Sequence, residues 1–347
     1  MKRLLALSLA LIMLLSLGAC KKDTDDEEKE STTVPAETLP VESGRQEEDK
    51  VPDAEDVFVE DPTVDMPDSV DEITQAQQEF QQLQNMEIKK NKGVDNILII
   101  GSDRRDSSEN GRADTVILLT LNYNTGKVHQ TSFMRAMYVC IPRPEGEVWG
   151  MLNAAFSWGG AELLVDTIEL NFRVEIDHYL VIDFETLEKA VDLVGGIEIE
   201  LTEEEAEYVF SDDPAKAHAG KATLNGEKAL RYARLRQIDN DFKRTQRQRK
   251  VIDCLIAKLG SADTGVMMQL AFGILPMIGT DFKDSTALVT YVANAIPYMS
   301  AVTDGMMLPI ENQSGETYIG MIYVDGQEMY KFDFEENVQA LHAYINS

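Results

Sequence analysis

Between Arg231 and Lys250 the sequence reads RYARLRQIDNDFKRTQRQRK, eight bases against two acids in a chain of net charge −29. From Lys243 onward, Val251, Ile252, Leu255, Ile256 and Leu259 recur with helical spacing and form one apolar stripe. Extended backwards at about 100° per residue, the stripe takes in Arg244 and Gln248 and leaves Arg247 and Arg249 near its edges. A guanidinium on the inward face of a helix is costly unless something pairs with it. Upstream, Arg234 and Arg236 alternate with Leu235 and read as one side of a strand. Arginines converging from a strand end and a helix start suit a polyanion, because the planar fork matches phosphate oxygens. The competing reading is a solvated basic helix face.

A second set of charged residues stands in two turns, Gly101-Ser102-Asp103-Arg104-Arg105 and Gly111-Arg112-Ala113-Asp114. Asp103, Arg112 and Asp114 lie at the end of one strand and the start of its neighbour. Mg²⁺ is typically held by one or two carboxylates plus substrate phosphates, so this pair could form such a site. A turn aspartate and a salt-bridge partner fit the spacing equally well.

Strands and helices must position these groups. Val94–Ile100, Thr115–Leu121 and Val128–Phe133 read as strands, with a hairpin-type turn at residues 122–126. Ala161–Asn171 has helical spacing. His178–Ile182 is a strand, Phe184–Val194 a helix, and Ile197–Leu201 a strand after Gly195-Gly196. The order β-β-β-α-β-α-β gives a mixed sheet covered by helices.

Composition bounds the function. The acidic balance argues against nucleic acid, whose phosphate backbone needs a basic surface. Three Cys cannot make a disulfide framework, and four scattered His give no clustered zinc pattern. Walker, GxGxxG and GxSxG signatures are absent. Lys2 and Arg3 precede an apolar run from Leu4 to Leu17 and then Leu17-Gly18-Ala19-Cys20, which resembles a bacterial lipobox. It implies residues 1–20 as a lipoprotein signal, lipidation of Cys20, and a lipid-anchored chain at the extracytoplasmic face of the membrane. About half the excess negative charge falls within residues 21–79, so residues 21–75 read as an acidic disordered linker. Residues 76–92 read as a polar lead-in helix, with the folded part starting near Gly93 and running to 345. Cys140 and Cys254 read as small buried apolar residues and not a redox pair. Trp149 and Trp158 read as core packing ahead of sugar stacking. Val266–Ile278, too short and Pro-broken to span a membrane, reads as core ahead of a tunnel wall.

The segments NILIIGSDRR, GRADTVILLTLN, SFMRAMYVCIP, LNAAFSWGGAELL, IDHYLVIDF, DLVGGIEI, LNGEKALRYARLR and DNDFKRTQRQRKV follow one another in this order. Together they resemble the LytR-CpsA-Psr family of bacterial cell-wall proteins, over about residues 93–260. The resemblance implies an α/β/α sandwich with a central mixed sheet. It implies transfer of a glycopolymer, teichoic-acid-like or a wall or capsular polysaccharide, from an undecaprenyl-pyrophosphate carrier to peptidoglycan, releasing undecaprenyl phosphate. It also implies Mg²⁺ or Mn²⁺, an arginine-rich pyrophosphate site and a hydrophobic tunnel for the polyprenyl chain. By motif position, the metal carboxylates match Asp103 and Asp114. The phosphate arginines match Arg112, Arg135, Arg234 and Arg236, and further functional residues match Asp241, Arg244 and Gln248. Arg112, Arg135 and Arg244 would neutralise charge on the leaving phosphate. Two positions depart from the family pattern: Ala136 stands where the family usually has Asp, and Met151 where it usually has a base. A pyrophosphate hydrolase and a ligand-binding lipoprotein are the alternative functions.

Overall fold

The computed structural model describes residues 68–347 apart from 89, 103–110, 236, 239–240, 263, 296, 299–304 and 311–319. Its first helix lies earlier than expected. α1 (Val70–Leu83) buries Ala76, Phe80 and Leu83, spaced four and three residues apart on one face. The ring of Phe80 meets Trp149 edge-on at 5.1 Å and Phe334 at 5.6 Å. The helix is therefore part of the core and not a polar lead-in, and the folded part begins near Asp68 and not Gly93. Its glutamine-rich surface disguises a narrow apolar stripe, yet burying one Phe contributes roughly 1.5–3 kcal/mol.

β1 (Val94–Ser102), β2 (Ala113–Asn122) and β3 (Lys127–Phe133) form an antiparallel meander, as their apolar runs predict. β4 (Tyr138–Arg143) and β5 (Gly146–Met151) then make a hairpin that the sequence reading missed. α2 (Leu152–Phe172) follows, broken at Gly160 (φ 69°, ψ −157°), so the helix expected from Ala161 is its second half. β6 (His178–Asp183) runs parallel to β1, and α3 (Phe184–Leu193) begins where Asp183 accepts a hydrogen bond from the Thr186 amide. β7 (Ile197–Leu201) leaves the main sheet and pairs with β8 (Gly220–Leu224), around α4 (Glu203–Val209).

α5 (Gly226–Arg234) is capped by Asn225. Arg234 thus ends a helix and does not belong to the expected strand, while Arg236 lies outside the described residues. Burial of Ala229, Tyr232 and Ala233 selects the helix, and a Cβ at Gly226 would fall 2.2 Å from the Glu188 carbonyl oxygen, so α3 and α5 cross closely. α6 (Asp241–Ser261), α7 (Thr264–Gly273), β9 (Gly279–Thr280), α8 (Ser285–Ala295), β10 (Met306–Leu308), the β11 (Gly320–Val324)–β12 (Gln327–Lys331) hairpin and α9 (Phe334–Ile345) complete the order.

The main sheet is six-stranded in the order β10-β3-β2-β1-β6-β9. α1, α2 and α9 cover one face with Phe80, Phe156, Leu164, Phe172 and Leu341. α6 and α8 cover the other, where Ile252, Ile256 and Ala295 pack on Ile97, Ile99, Ile117 and Leu119. This is the three-layer α/β/α arrangement. A satellite core joins α3, α4, α5, α6, α7 and the β7–β8 hairpin; Leu270 and Ile274 are buried there, so those residues of the 266–278 run are core. Among the described residues no helix is long and apolar enough to cross a membrane.

Candidate active site

β1, β3, β6 and β10 all run one way and end at Ser102, Phe133, Asp183 and Leu308, while β2 starts beside those ends. In open α/β sheets ligands bind outside the carboxyl ends of strands. The register of β1 and β2 shifts at this edge: Gly101 faces Thr115 but Ser102 faces Ala113, so Asp114 is an extra, bulged residue. A bulge bends the strand and re-aims its side chain. Gly101 permits the close approach, since a Cβ there would lie 2.8 Å from that of Thr115.

Asp114 meets Arg135, whose Nη1 donates to Oδ1 at 3.0 Å, with both side chains mostly buried. Arg135 sits in the turn after β3. Its carbonyl accepts from the Asn153 amide at 3.1 Å, and the Ala136 carbonyl accepts from the Tyr330 amide at 2.8 Å. The backbone of this turn is thus held at the residue before and the residue of the Ala136 departure. Ser157 Oγ donates to the Gly111 carbonyl at 2.8 Å, anchoring the approach to the exposed Arg112. The first turns of α2 therefore hold both arginine-bearing segments.

Arg234 places its guanidinium 4.8 Å from the ring centre of Phe184, at the corner where β6 passes into α3. Since Asp183 pairs with Ser102, this corner adjoins the end of β1. On α6, Arg244 is 1% exposed, so the phase argument holds: it lies on the same inward stripe as the buried Val251, Ile252, Leu255 and Ile256. Gln248 is half-buried one turn on. Arg247, read as an edge position, is also buried; it donates to the Leu235 carbonyl at 2.6 Å and lies 3.6 Å from Glu205. It joins the start of α6 to the end of α5, which brings that helix start to the Arg234 corner. Arg249 lies against Gly305, where a Cβ would come within 2.7 Å of its side chain. The basic run is thus divided. Arg231 is held by Asp212 and Glu227, and Lys250 by the Glu200 carbonyl.

Asp103, Arg236 and Cys20 lie outside the described residues, as does the side chain of Asp241 at the start of α6. Of the two carboxylates expected to hold the cation, only Asp114 is described. A cation that takes only one or two protein carboxylates, with phosphate oxygens completing its shell, fits such a donor set.

On the α6–α8 face, toward the other end of the strands where β1 and β3 start, lies an apolar cavity of about 70 Å³ lined by Ile97, Leu119, Leu121, Val128, Leu180, Ile256, Phe282, Leu288, Tyr291, Val292 and Ala295. The sequence reading did not single out the segment 282–295; its mixed small and aromatic residues carry no periodic signal. At the cavity wall Tyr291 and Tyr123 both donate to Asp95 Oδ2, at 3.1 and 2.7 Å. Burial, with that carboxylate beside them, holds both phenols well above their usual range. Burial, then Glu147, pushes the Cys140 thiol up to about 12, and burial raises that of Cys254.

The LytR_cpsA_psr family model matches residues 63–343. Over 286 residues the chain is 32% identical to the Oceanobacillus iheyensis protein named "Polyisoprenyl-teichoic acid--peptidoglycan teichoic acid transferase TagU", covering 79% of this chain and 83% of that one. The Enterococcus faecalis protein of the same name is 34% identical over 215 residues, covering 61% and 68%. The solved structure of YwtF (TagT), a LytR-CPS2A-psr family protein with bound octaprenyl pyrophosphate lipid, matches with a TM-score of 0.55 at 21% identity, covering 75% of this chain and 95% of that one, a likeness of fold. From its sequence match and its fold, the chain belongs to the LytR-CpsA-Psr family.

Proposed function

We propose that this chain transfers a glycopolymer from a polyprenyl-pyrophosphate carrier to peptidoglycan and releases the polyprenyl monophosphate. The observation that carries this reading is the pairing of two environments. A carboxylate–arginine edge, Asp114 with Arg135 and the helix of the buried Arg244, shares one sheet with an apolar cavity on the α6–α8 face. A polyanion joined to a long hydrocarbon needs both. The relatives named as polyisoprenyl-teichoic acid transferases support the same substrate class.

In the reaction an acceptor hydroxyl oxygen bonds to the polymer-side phosphorus, and the bond from that phosphorus to the bridging oxygen breaks. The lipid phosphate leaves with the bond's electron pair, and the hydroxyl proton passes to a carboxylate of the edge. Such transfer is mostly positioning and electrostatics. Arg112, Arg135, Arg234, Arg236 and Arg244 neutralise the charge that grows on the leaving phosphate. Asp241 and Gln248 orient the pyrophosphate. Asp103 and Asp114 would hold Mg²⁺ or Mn²⁺, which supplies Lewis-acid polarisation of phosphoryl oxygens when bound. Cys20, lipidated, would tether the chain outside the cytoplasm.

The test is reconstitution of the full chain with a lipid-linked glycopolymer and peptidoglycan. Polymer bound to peptidoglycan is the expected product; free polymer phosphate, formed equally with and without acceptor, would make the protein a hydrolase. A chelator should stop turnover and Mg²⁺ restore it. Asp114→Ala should lower turnover with the thermal midpoint retained; full activity would make the Asp114–Arg135 pair structural. Cys20→Ser should abolish lipid labelling.

A further inference from the structure

The chain has two tryptophans. Trp149 stands in the aromatic core, 5.1 Å from both Phe80 and Tyr138. Trp158, expected to pack likewise, instead keeps 47% of its surface exposed. Its setting is ordered. The guanidinium of Arg143 lies 5.2 Å from its ring centre, and Arg143 is itself held by Glu145 at 3.5 Å. A Cβ added at Gly150 would lie 3.7 Å from the indole, so nearly bare backbone of β5 props its edge. Glu147 and Val148 are exposed on the same hairpin. A large ring is thus oriented by its neighbours, left open to solvent, and flanked by the Arg143 guanidinium with its partner Glu145.

Its position relates it to the chemistry. Ser157, the preceding residue, anchors Gly111 before Arg112. Asn153, about 7.5 Å back along the helix, holds the Arg135 carbonyl. Trp158 therefore belongs to the α2 face of the sheet edge, and the apolar cavity lies on the opposite, α6–α8 face.

We propose that Trp158 is the stacking platform for a sugar ring of the acceptor glycan, with Arg143 and Glu145 meeting its hydroxyls. The inference rests on the transferase reading. In-line displacement puts the nucleophile opposite the leaving group. With the lipid phosphate departing toward the α6–α8 face, the acceptor hydroxyl arrives from the α2 face. The C–H face of a pyranose carries slight positive charge and suits the negative face of an indole. A lipid surface is the rival partner for an exposed tryptophan, but Glu145 would then meet anionic headgroups.

The experiment uses the full chain and its intrinsic fluorescence, titrated separately with soluble peptidoglycan glycan strands, with lipid-free donor glycan, and with anionic phospholipid vesicles. Glycan strands should quench or shift the emission, and Trp158→Ala should abolish the response. In the transfer assay Trp158→Ala should raise the acceptor KM about five- to tenfold, the worth of one aromatic contact, with kcat and donor-lipid binding unchanged. Trp158→Phe should recover part of that loss. A wild-type acceptor KM in Trp158→Ala, or a response confined to donor glycan or to vesicles, would overturn the proposal. If the unaltered protein transfers nothing, the transferase reading fails, and the glycan-strand titration still decides whether Trp158 binds sugar.

Discussion

On the sheet face covered by α1, α2 and α9, aromatic rings close on one another. Phe80 meets Trp149 and Phe334, and Phe172 meets Phe133 at 4.9 Å and stacks on Phe332 at 5.9 Å. On the face covered by α6 and α8, aliphatic side chains of the strands stop short of the helices and leave a cavity whose lining is apolar. Both faces bury apolar area, and on the α6–α8 face part of that area lines a cavity. An unfilled lining forfeits part of the packing energy that a close-packed interior normally supplies. The difference teaches that one sheet can carry a tightly packed face and a loosely packed one, with the strands common to both.

That comparison can be broken at several points. The largest effect belongs to the filled face: Phe80→Ala should destabilise the fold by about 3–5 kcal/mol, measured by denaturant unfolding, because its site cannot collapse around the lost ring. Next is Arg244→Ala. It should cost about 2–4 kcal/mol in transition-state binding, read from kcat/KM, whereas Arg249→Ala in the same helix should change it little. Equal losses would mean that inward phase does not mark the phosphate site. A finer contrast adds one methylene to each face. Val139→Leu, in the aromatic-side core, should cost about 1–3 kcal/mol, while Val128→Leu, at the cavity, should cost under about 1 kcal/mol and still weaken binding of a polyprenyl pyrophosphate. Similar costs at both positions would erase the distinction.

The smallest effect concerns pH. Burial, then the charge of Lys127, holds His129 below its ordinary 6.5. The folded state then binds fewer protons than the unfolded one between the depressed value and 6.5, so stability rises with pH through that window and is lost as pH falls through it. His129→Phe should flatten this part of the stability curve; an unchanged acid slope would assign it elsewhere.

Much of this architecture was legible in the sequence because it repeats a simple period. The apolar runs of β1, β2 and β3 and the 3.6-residue stripe through Arg244 each state which way their side chains face. Legibility failed where two periods agree or where a signal is thin. Arg234 and Arg236 are two apart, which suits a strand, yet Arg234 is equally the exposed end of a helix whose buried residues are Ala229, Tyr232 and Ala233. α1 shows too few apolar positions among its glutamines to announce itself as core. The Asp114 bulge depends on register with a partner strand, which no single segment encodes. Trp158 and Trp149 are alike in sequence setting, and only the tertiary neighbours separate the exposed ring from the buried one.

The start of the described chain is clasped to the β11–β12 hairpin. The Ser69 amide donates to the Tyr323 carbonyl at 3.0 Å, the Tyr323 amide returns a bond to Ser69 Oγ at 3.1 Å, and the Asp325 amide donates to Asp68 Oδ1 at 2.9 Å. Seen mechanically, these bonds are a mooring. Any tension carried by the preceding chain is delivered at residue 68, loads this clasp before it reaches α1, and must then pull Ala76, Phe80 and Leu83 out of their packing. The hairpin that takes this load also holds the Arg135 turn, where the Tyr330 amide donates to the Ala136 carbonyl at 2.8 Å, so the mooring and the sheet edge share one support.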